Sequence, residues 1–129
     1  MSTNKTIINT AQAPAPIGPY NQAVKAGNTL YVSGQIALSP ETGELVEGTV
    51  SDEARQVLEN LRAVLAEAGY AFTDVVKTTI FLRDMNDFGA VNTVYGTYFT
   101  EQAPARETVA VAGLPKNVNV EISVIAWKA

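Results

Sequence analysis

Apolar residues recur at spacings of three and four from Ala54 through Val57, Leu58, Leu61, Val64 and Leu65 to Ala68. That is the mark of one buried helix face. Ser51 is suited to an N-cap, Asp52 and Glu53 place negative charge in the first turn, and Gly69 ends the run. The pattern predicts a helix over about 52–68. A second helix is expected from about 87 to 99, capped by Asp84 or Asn86, with Phe88, Val91, Tyr95, Tyr98 and Phe99 on its apolar face.

Elsewhere the period is two. Residues 6–9 read as a short first strand. Residues 21–25 and 29–33 flank Ala26-Gly27-Asn28, a hairpin signal, and the second run resumes from Gln35 to Leu38 after Ser33-Gly34. Between the first two strands, Pro14, Pro16 and Pro19 forbid helix and favour an extended loop. Residues 75–82 are β-branched and strand-like. Residues 107–113 and 118–127 are expected to pair as a closing hairpin around Leu114-Pro115-Lys116-Asn117. In its second strand Val118, Val120, Ile122, Val124 and Ala126 share one face, and Asn119, Glu121, Ser123, Ile125 and Trp127 share the other. With residue 113 opposite 118, Val109 would face Ile122 and Val111 would face Val120. The order of elements predicts an α+β fold, with two helices on one face of one sheet.

The 129 residues suit a single domain, and 47% apolar content suits an ordinary core. The chain has no cysteine and no histidine. Disulfides, a thiol nucleophile, Cys-ligated zinc and the commonest general base are thereby excluded, and neither metal nor cofactor is expected. The formal charge of −4 argues against nucleic acid as a partner. Nothing at the N-terminus reads as a signal or transit peptide, and no run approaches the roughly 20 apolar residues of a membrane span. A cytoplasmic protein is expected.

Chemistry must then rest on Arg, acids, hydroxyls, backbone groups and water. Arg106, at the entrance to a strand, can grip a carboxylate through two parallel hydrogen bonds. By strand parity Glu121 is expected on the same sheet face, yet the supposed register sets it opposite Ala110, roughly 13 Å along the strand from Arg106. Only a small ligand or water would bridge them. Two unrelated rim charges are the commoner explanation of such a spacing. Gly34, beside Ser33, either opens a backbone N–H to an anion or marks a β-bulge. Tyr20 either lids a pocket or packs its loop on the core.

Five segments look familiar in order: IGPYNQAV (17–24), LYVSGQIALSPETGEL (30–45), ENLRAVLAEAG (59–69), KTTIFLRDMNDFGAVNTVY (77–95) and PARETVAVAGLPKNVNVEISVIA (104–126). Over nearly the whole chain they resemble the RidA (YjgF) family of enamine/imine deaminases. The resemblance implies a chorismate-mutase-like (AroH-type) fold and a homotrimeric barrel with sites between subunits. It implies hydrolysis of 2-iminobutanoate and 2-iminopropanoate to 2-oxo acids and ammonia. Matched residue by residue, Arg106 binds the substrate carboxylate, the Gly34 N–H assists, and Glu121 holds the attacking water. Tyr20, Ser33 and Asn92 line the pocket. Thr108 replaces a frequent cysteine, and Glu107 stands where the family is usually small. Parity should turn Glu107 away from Arg106. Alternatives within the resemblance are a non-enzymatic keto-acid-binding or chaperone-like module, and an endoribonuclease or translation inhibitor.

Overall fold

The computed structural model describes residues 5–129. Six strands form one mixed sheet: β1 (Lys5–Ile8), β2 (Ala23–Ala26), β3 (Thr29–Gln35), β4 (Val75–Leu82), β5 (Ala105–Ala110) and β6 (Val120–Trp127). Helices α1 (Val50–Glu67) and α2 (Phe88–Tyr98) complete the α+β architecture. The strand order is β1-β2-β3-β6-β4-β5. Every pairing is antiparallel except β4 with β5.

The first three strands run as a meander. Ala26 pairs with Thr29 across a two-residue turn, whose first residue, Gly27, has φ +61°. Glycine reaches that region without a steric cost, which is what a tight hairpin requires. The first strand lies one residue earlier than its hydrophobic run suggests. Asn21 and Gln22 precede β2 instead of starting it, because their side chains are engaged by the preceding loop. The register with β6 shifts between Val32 and Gln35, so Ser33-Gly34 is a bulge. Beyond it Gln35 still pairs with Ile122, and an isolated antiparallel bridge joins Leu38 to Leu45.

The expected closing hairpin does not form. β5 lies parallel to β4 at the sheet edge, and β6 inserts between β3 and β4. Val109 stands beside Phe81, and Ile122 beside Ile80, so the supposed Val109–Ile122 and Val111–Val120 pairs are absent. Two features account for this. Parallel neighbours need a long crossover, and α2 between β4 and β5 supplies it. The 115–117 turn carries two consecutive left-handed residues, Lys116 (φ 54°) and Asn117 (φ 57°), and sends the chain across the sheet.

Helix α1 starts earlier than Ser51 suggests. The cap is Thr49, whose Oγ1 accepts from Asp52 N (3.3 Å) while Asp52 Oδ2 accepts from Thr49 N (3.0 Å). The reciprocal pair satisfies two otherwise orphaned donors, which a Ser51 cap would leave open. For α2, Asp84 caps a short 3-10 turn (Met85–Asp87) that leads into the helix. Its buried positions are Val91, Val94 and Tyr95, while Phe88 stays exposed.

The core lies between the helices and one sheet face. Val57, Leu58, Leu61, Val64 and Val91 meet Leu30, Ile80, Leu82, Val120, Ile122 and Val124 there, each at most 2% exposed. Each such side chain contributes about 1.5–3 kcal/mol through removal from water. The opposite face carries no helix. It presents Ile7, Tyr31, Val109 and Trp127, which are 44–51% exposed. No described helix is long and apolar enough to cross a membrane.

Candidate active site

Two groups of the expected site residues occur in separate places. Arg106 and its neighbours form the first. In the β4–β5 ladder Arg106 stands beside Thr78 and Thr108 beside Ile80. Thr78 and Ile80 are core positions, so Arg106 and Thr108 project on the helix-covered side. Three α2 residues spaced by four and three, Phe88, Asn92 and Tyr95, meet the guanidinium. Asn92 Oδ1 accepts from Arg106 Nη1 at 2.7 Å. The guanidinium carbon lies 4.8 Å from the Tyr95 ring centroid and 5.5 Å from that of Phe88. Both contacts are within the range of cation–π attraction. Burial pushes the Tyr95 phenol up, against the opposing pull of its Thr78 hydrogen bond and the Arg106 charge.

No carboxylate pairs with Arg106 among the described residues; the ion pairs there are Arg55–Asp52, Arg62–Glu59 and Lys77–Glu107. Arg106 is therefore oriented from one side, while most of its five donors have no partner among the described residues. Glu107 turns to the other face and meets Lys77 at 3.2 Å, as parity requires. Thr108 Oγ1 is buried without a hydrogen-bond partner among the described residues.

Glu121 belongs to the second group. It pairs in register with Phe81, on the helix-free face. The expectation that Arg106 and Glu121 share a face is overturned, because β4 separates β5 from β6 and reverses the supposed parity. Val124 and Phe81 mark the levels of Arg106 and Glu121, three residues apart on strands two spacings apart. Their backbones are thus separated by roughly 14 Å, and their side chains leave from opposite faces.

A cavity of about 220 Å³ opens beside Glu121 at the end of the sheet where β3 leaves and β6 enters. Tyr20, Ile17 and Pro16 wall it on one side, Gly34 and Ile36 on another, and Pro115 closes the rim. Burial pushes the Glu121 carboxyl up from its ordinary value. The carboxyl rests directly over Gly34. A Cβ there would lie 2.9 Å from Glu121 Cδ, so only glycine leaves it room. Ser33 contributes structure, since its Oγ donates to the Asn21 carbonyl at 2.7 Å. Tyr20 is 48% exposed, with its hydroxyl accepting from Ile17 N at 3.4 Å. Tyr20 closes its own loop while its ring faces the cavity.

Residues not singled out by the sequence hold this cavity open. Gln22 is 2% exposed. Its amide donates to the carbonyls of Thr10, Ala13 and Pro14, and its oxygen accepts from Thr10 N. The proline-rich loop is thereby tied to the sheet. Asn60 of α1 donates to the carbonyls of Ile36 and Leu38 from below. Glu53 accepts from Asn119 N and Val120 N, fixing the start of β6. The alternation of an asparagine within the aromatic stripe 88–92–95 was the one available signal for the Arg106 cradle. Gln22 and Asn60 gave none, because a polar residue inside an apolar pattern does not reveal its partners. No group of three or more potential metal ligands occurs among the described residues.

Fold and site together define a class: a small α+β protein with a cradled, unpaired arginine near one sheet edge and a cavity floored by a half-buried carboxylate at the sheet's end. The family model described as Endoribonuclease L-PSP matches residues 10–128. The chain belongs to that family, the RidA (YjgF) family that its motifs resemble. A RutC family protein of Pyrococcus horikoshii is 55% identical over 124 residues, 96% of this chain and 98% of the relative. The 2-iminobutanoate/2-iminopropanoate deaminase of Mus musculus is 52% identical over 122 residues, 95% of this chain and 90% of the relative. The crystal structure of E. coli TdcF with bound serine superposes with a TM-score of 0.91 at 46% identity, covering 96% of this chain and 99% of that one.

Proposed function

We propose that this protein hydrolyses 2-iminobutanoate and 2-iminopropanoate to the 2-oxo acids and ammonia. The carrying observation is the Arg106 guanidinium, aligned by Asn92 and two aromatic rings yet unmatched by any carboxylate among the described residues. The mouse relative's name agrees with that reading. A protonated imine is already electrophilic, so the protein needs chiefly to hold and position. Arg106 clasps the substrate carboxylate. Glu121 takes a proton from water as its oxygen bonds to the imine carbon, and the C=N double bond becomes a single bond. The same group returns the proton to nitrogen; as the C–N bond breaks, the hydroxyl oxygen forms the C=O double bond and its remaining proton leaves with ammonia as ammonium. A carboxyl raised by burial suits that exchange. Gly34 provides room and a backbone N–H. Tyr20, Ser33, Asn92 and Thr108 complete the walls and their supports. No cofactor enters the scheme.

Within one chain Arg106 and Glu121 cannot serve one substrate. The reading therefore includes a homotrimer of chorismate-mutase-like (AroH-type) form, in which the β5 edge of one copy closes the Glu121 cavity of the next. The apolar residues on the helix-free face support self-association there. A cytoplasmic setting fits this chemistry, since imines arise where pyridoxal-phosphate dehydratases release enamines.

The test is a coupled assay in which such a dehydratase generates the imine and 2-oxo acid release is timed. Loss of the two-pronged carboxylate grip in Arg106→Ala should lower kcat/KM about a hundredfold or more. Wild-type turnover by that variant would overturn the assignment. One observation favours a second reading, a ligand-binding module: the E. coli relative's structure holds serine. Tight 2-oxobutanoate binding with no imine turnover would select it. The endoribonuclease of the family's description is disfavoured by the −4 charge and the absence of histidine.

A further inference from the structure

Helix α2 makes the β4-to-β5 crossover, and it also carries the platform on which the arginine at the start of β5 lies. Phe88, Asn92 and Tyr95 form one stripe of that helix, and all three touch Arg106. Of its two rings Tyr95 is the nearer to the guanidinium, and it is anchored twice. Its ring stacks on Phe99 with centroids 4.4 Å apart at 29°. Its hydroxyl shares a 2.8 Å hydrogen bond with Thr78 Oγ1. Thr78 is fully buried (0% exposed) and is the β4 residue directly beside Arg106 in the ladder. The strand neighbour of the arginine thus fixes the ring beneath its side chain. A phenol and a threonine hydroxyl on a core face are costly to bury unless they satisfy each other, and here they do.

We propose that Thr78 and Tyr95 are positioning residues for carboxylate binding: their hydrogen bond sets the tilt of the Tyr95 ring and so the plane in which Arg106 offers its two-pronged fork. This deepens the deaminase reading and rests on Arg106 as the carboxylate's partner. A planar guanidinium rewards a correctly tilted support, because both N–H bonds must meet the acid together. Losing one prong changes affinity about tenfold.

The test compares Thr78→Val, Thr78→Ser and the double variant Thr78→Val/Tyr95→Phe. In Thr78→Val the shape is kept, but the phenol loses its partner and must turn to find water. KM for the imine should rise about tenfold with kcat within about twofold, since neither Thr78 nor Tyr95 lines the Glu121 cavity. The dissociation constant for 2-oxobutanoate, measured by titration calorimetry, should rise by the same factor. Thr78→Ser keeps the hydroxyl and should stay within about threefold of wild type. In the double variant no buried group is orphaned, so stability should recover, but the hydrogen bond is still missing and both constants should stay raised about tenfold. Recovered stability with binding still weakened is what a merely structural role would not produce. Unchanged KM and binding in folded Thr78→Val would overturn the proposal, as would a double variant whose constants return to wild type. If Thr78→Val does not fold, the double variant and Thr78→Ser decide by the same constants. Should the wild type bind 2-oxobutanoate without turning over imine, the deaminase reading falls, while a tenfold binding loss in Thr78→Val still upholds the positioning role.

Discussion

Adding one methyl group at Gly34 separates the two halves of the proposed chemistry. An ideal Cβ at that position would lie 2.9 Å from Glu121 Cδ and 3.0 Å from Cγ and Oε2. Carbon atoms in contact sit about 3.5–4.0 Å apart, so the carboxyl must retreat by roughly 0.6–1 Å. The backbone at residue 34 is outside the left-handed region, and alanine adopts it without strain. Only a flexible side chain has to move, and an off-rotamer glutamate costs about 0.5–1.5 kcal/mol. Gly34→Ala should therefore lower Tm by about 5 °C or less. The chemistry is far less tolerant. A misplacement of about 1 Å in a positioned group costs up to a hundredfold, so kcat should fall between about ten- and a hundredfold. The Arg106 cradle of Asn92, Tyr95 and Phe88 is untouched by the change, so KM should stay within about threefold. The coupled imine assay gives both constants and a calorimetric scan gives Tm. A wild-type kcat in the folded variant would refute the reasoning. A raised KM at unchanged kcat would mean that Glu121 grips substrate instead of water.

Glu121 also makes stability depend on pH. Its carboxyl is raised by burial, so the folded chain favours the neutral form. That advantage is present below the ordinary carboxylate value and is lost as pH rises through the raised one. Glu121→Gln should hence melt higher than wild type at pH 7, with the difference closing by about pH 4; equal melting at both pH values would contradict the burial argument. Gln22→Ala should cost roughly 2–3 kcal/mol in urea titrations, because its amide holds three loop carbonyls. The same change should expose the 10–20 loop to proteolysis, and protection equal to wild type would show that the prolines hold the loop unaided. Thr49→Ala should cost about 1 kcal/mol through the lost cap. Ser51→Ala should fall within about 0.5 kcal/mol of wild type, and a reversed order would return the cap to Ser51.

The period of the hydrophobic pattern determined both helices, β4 and the inner face of β6, because a buried face repeats every 3.6 residues in a helix and every two in a strand, whatever lies against it. Absence of cysteine and histidine limited the chemistry to arginine, carboxylates and water, and the motifs named the family. Strand neighbours were another matter. Pairing β5 with β6 was the local choice, yet the tertiary structure gave β5 to β4 through the α2 crossover and placed β6 in the middle. That decision moved Arg106 to the helix side and left Glu121 on the other. Alternation along one strand says which residues share a face. Which face of the sheet that becomes is set by neighbours far away in sequence. For the same reason only the folded chain could show Thr78 under Tyr95, Gln22 beneath the proline loop, and Glu121 resting over Gly34.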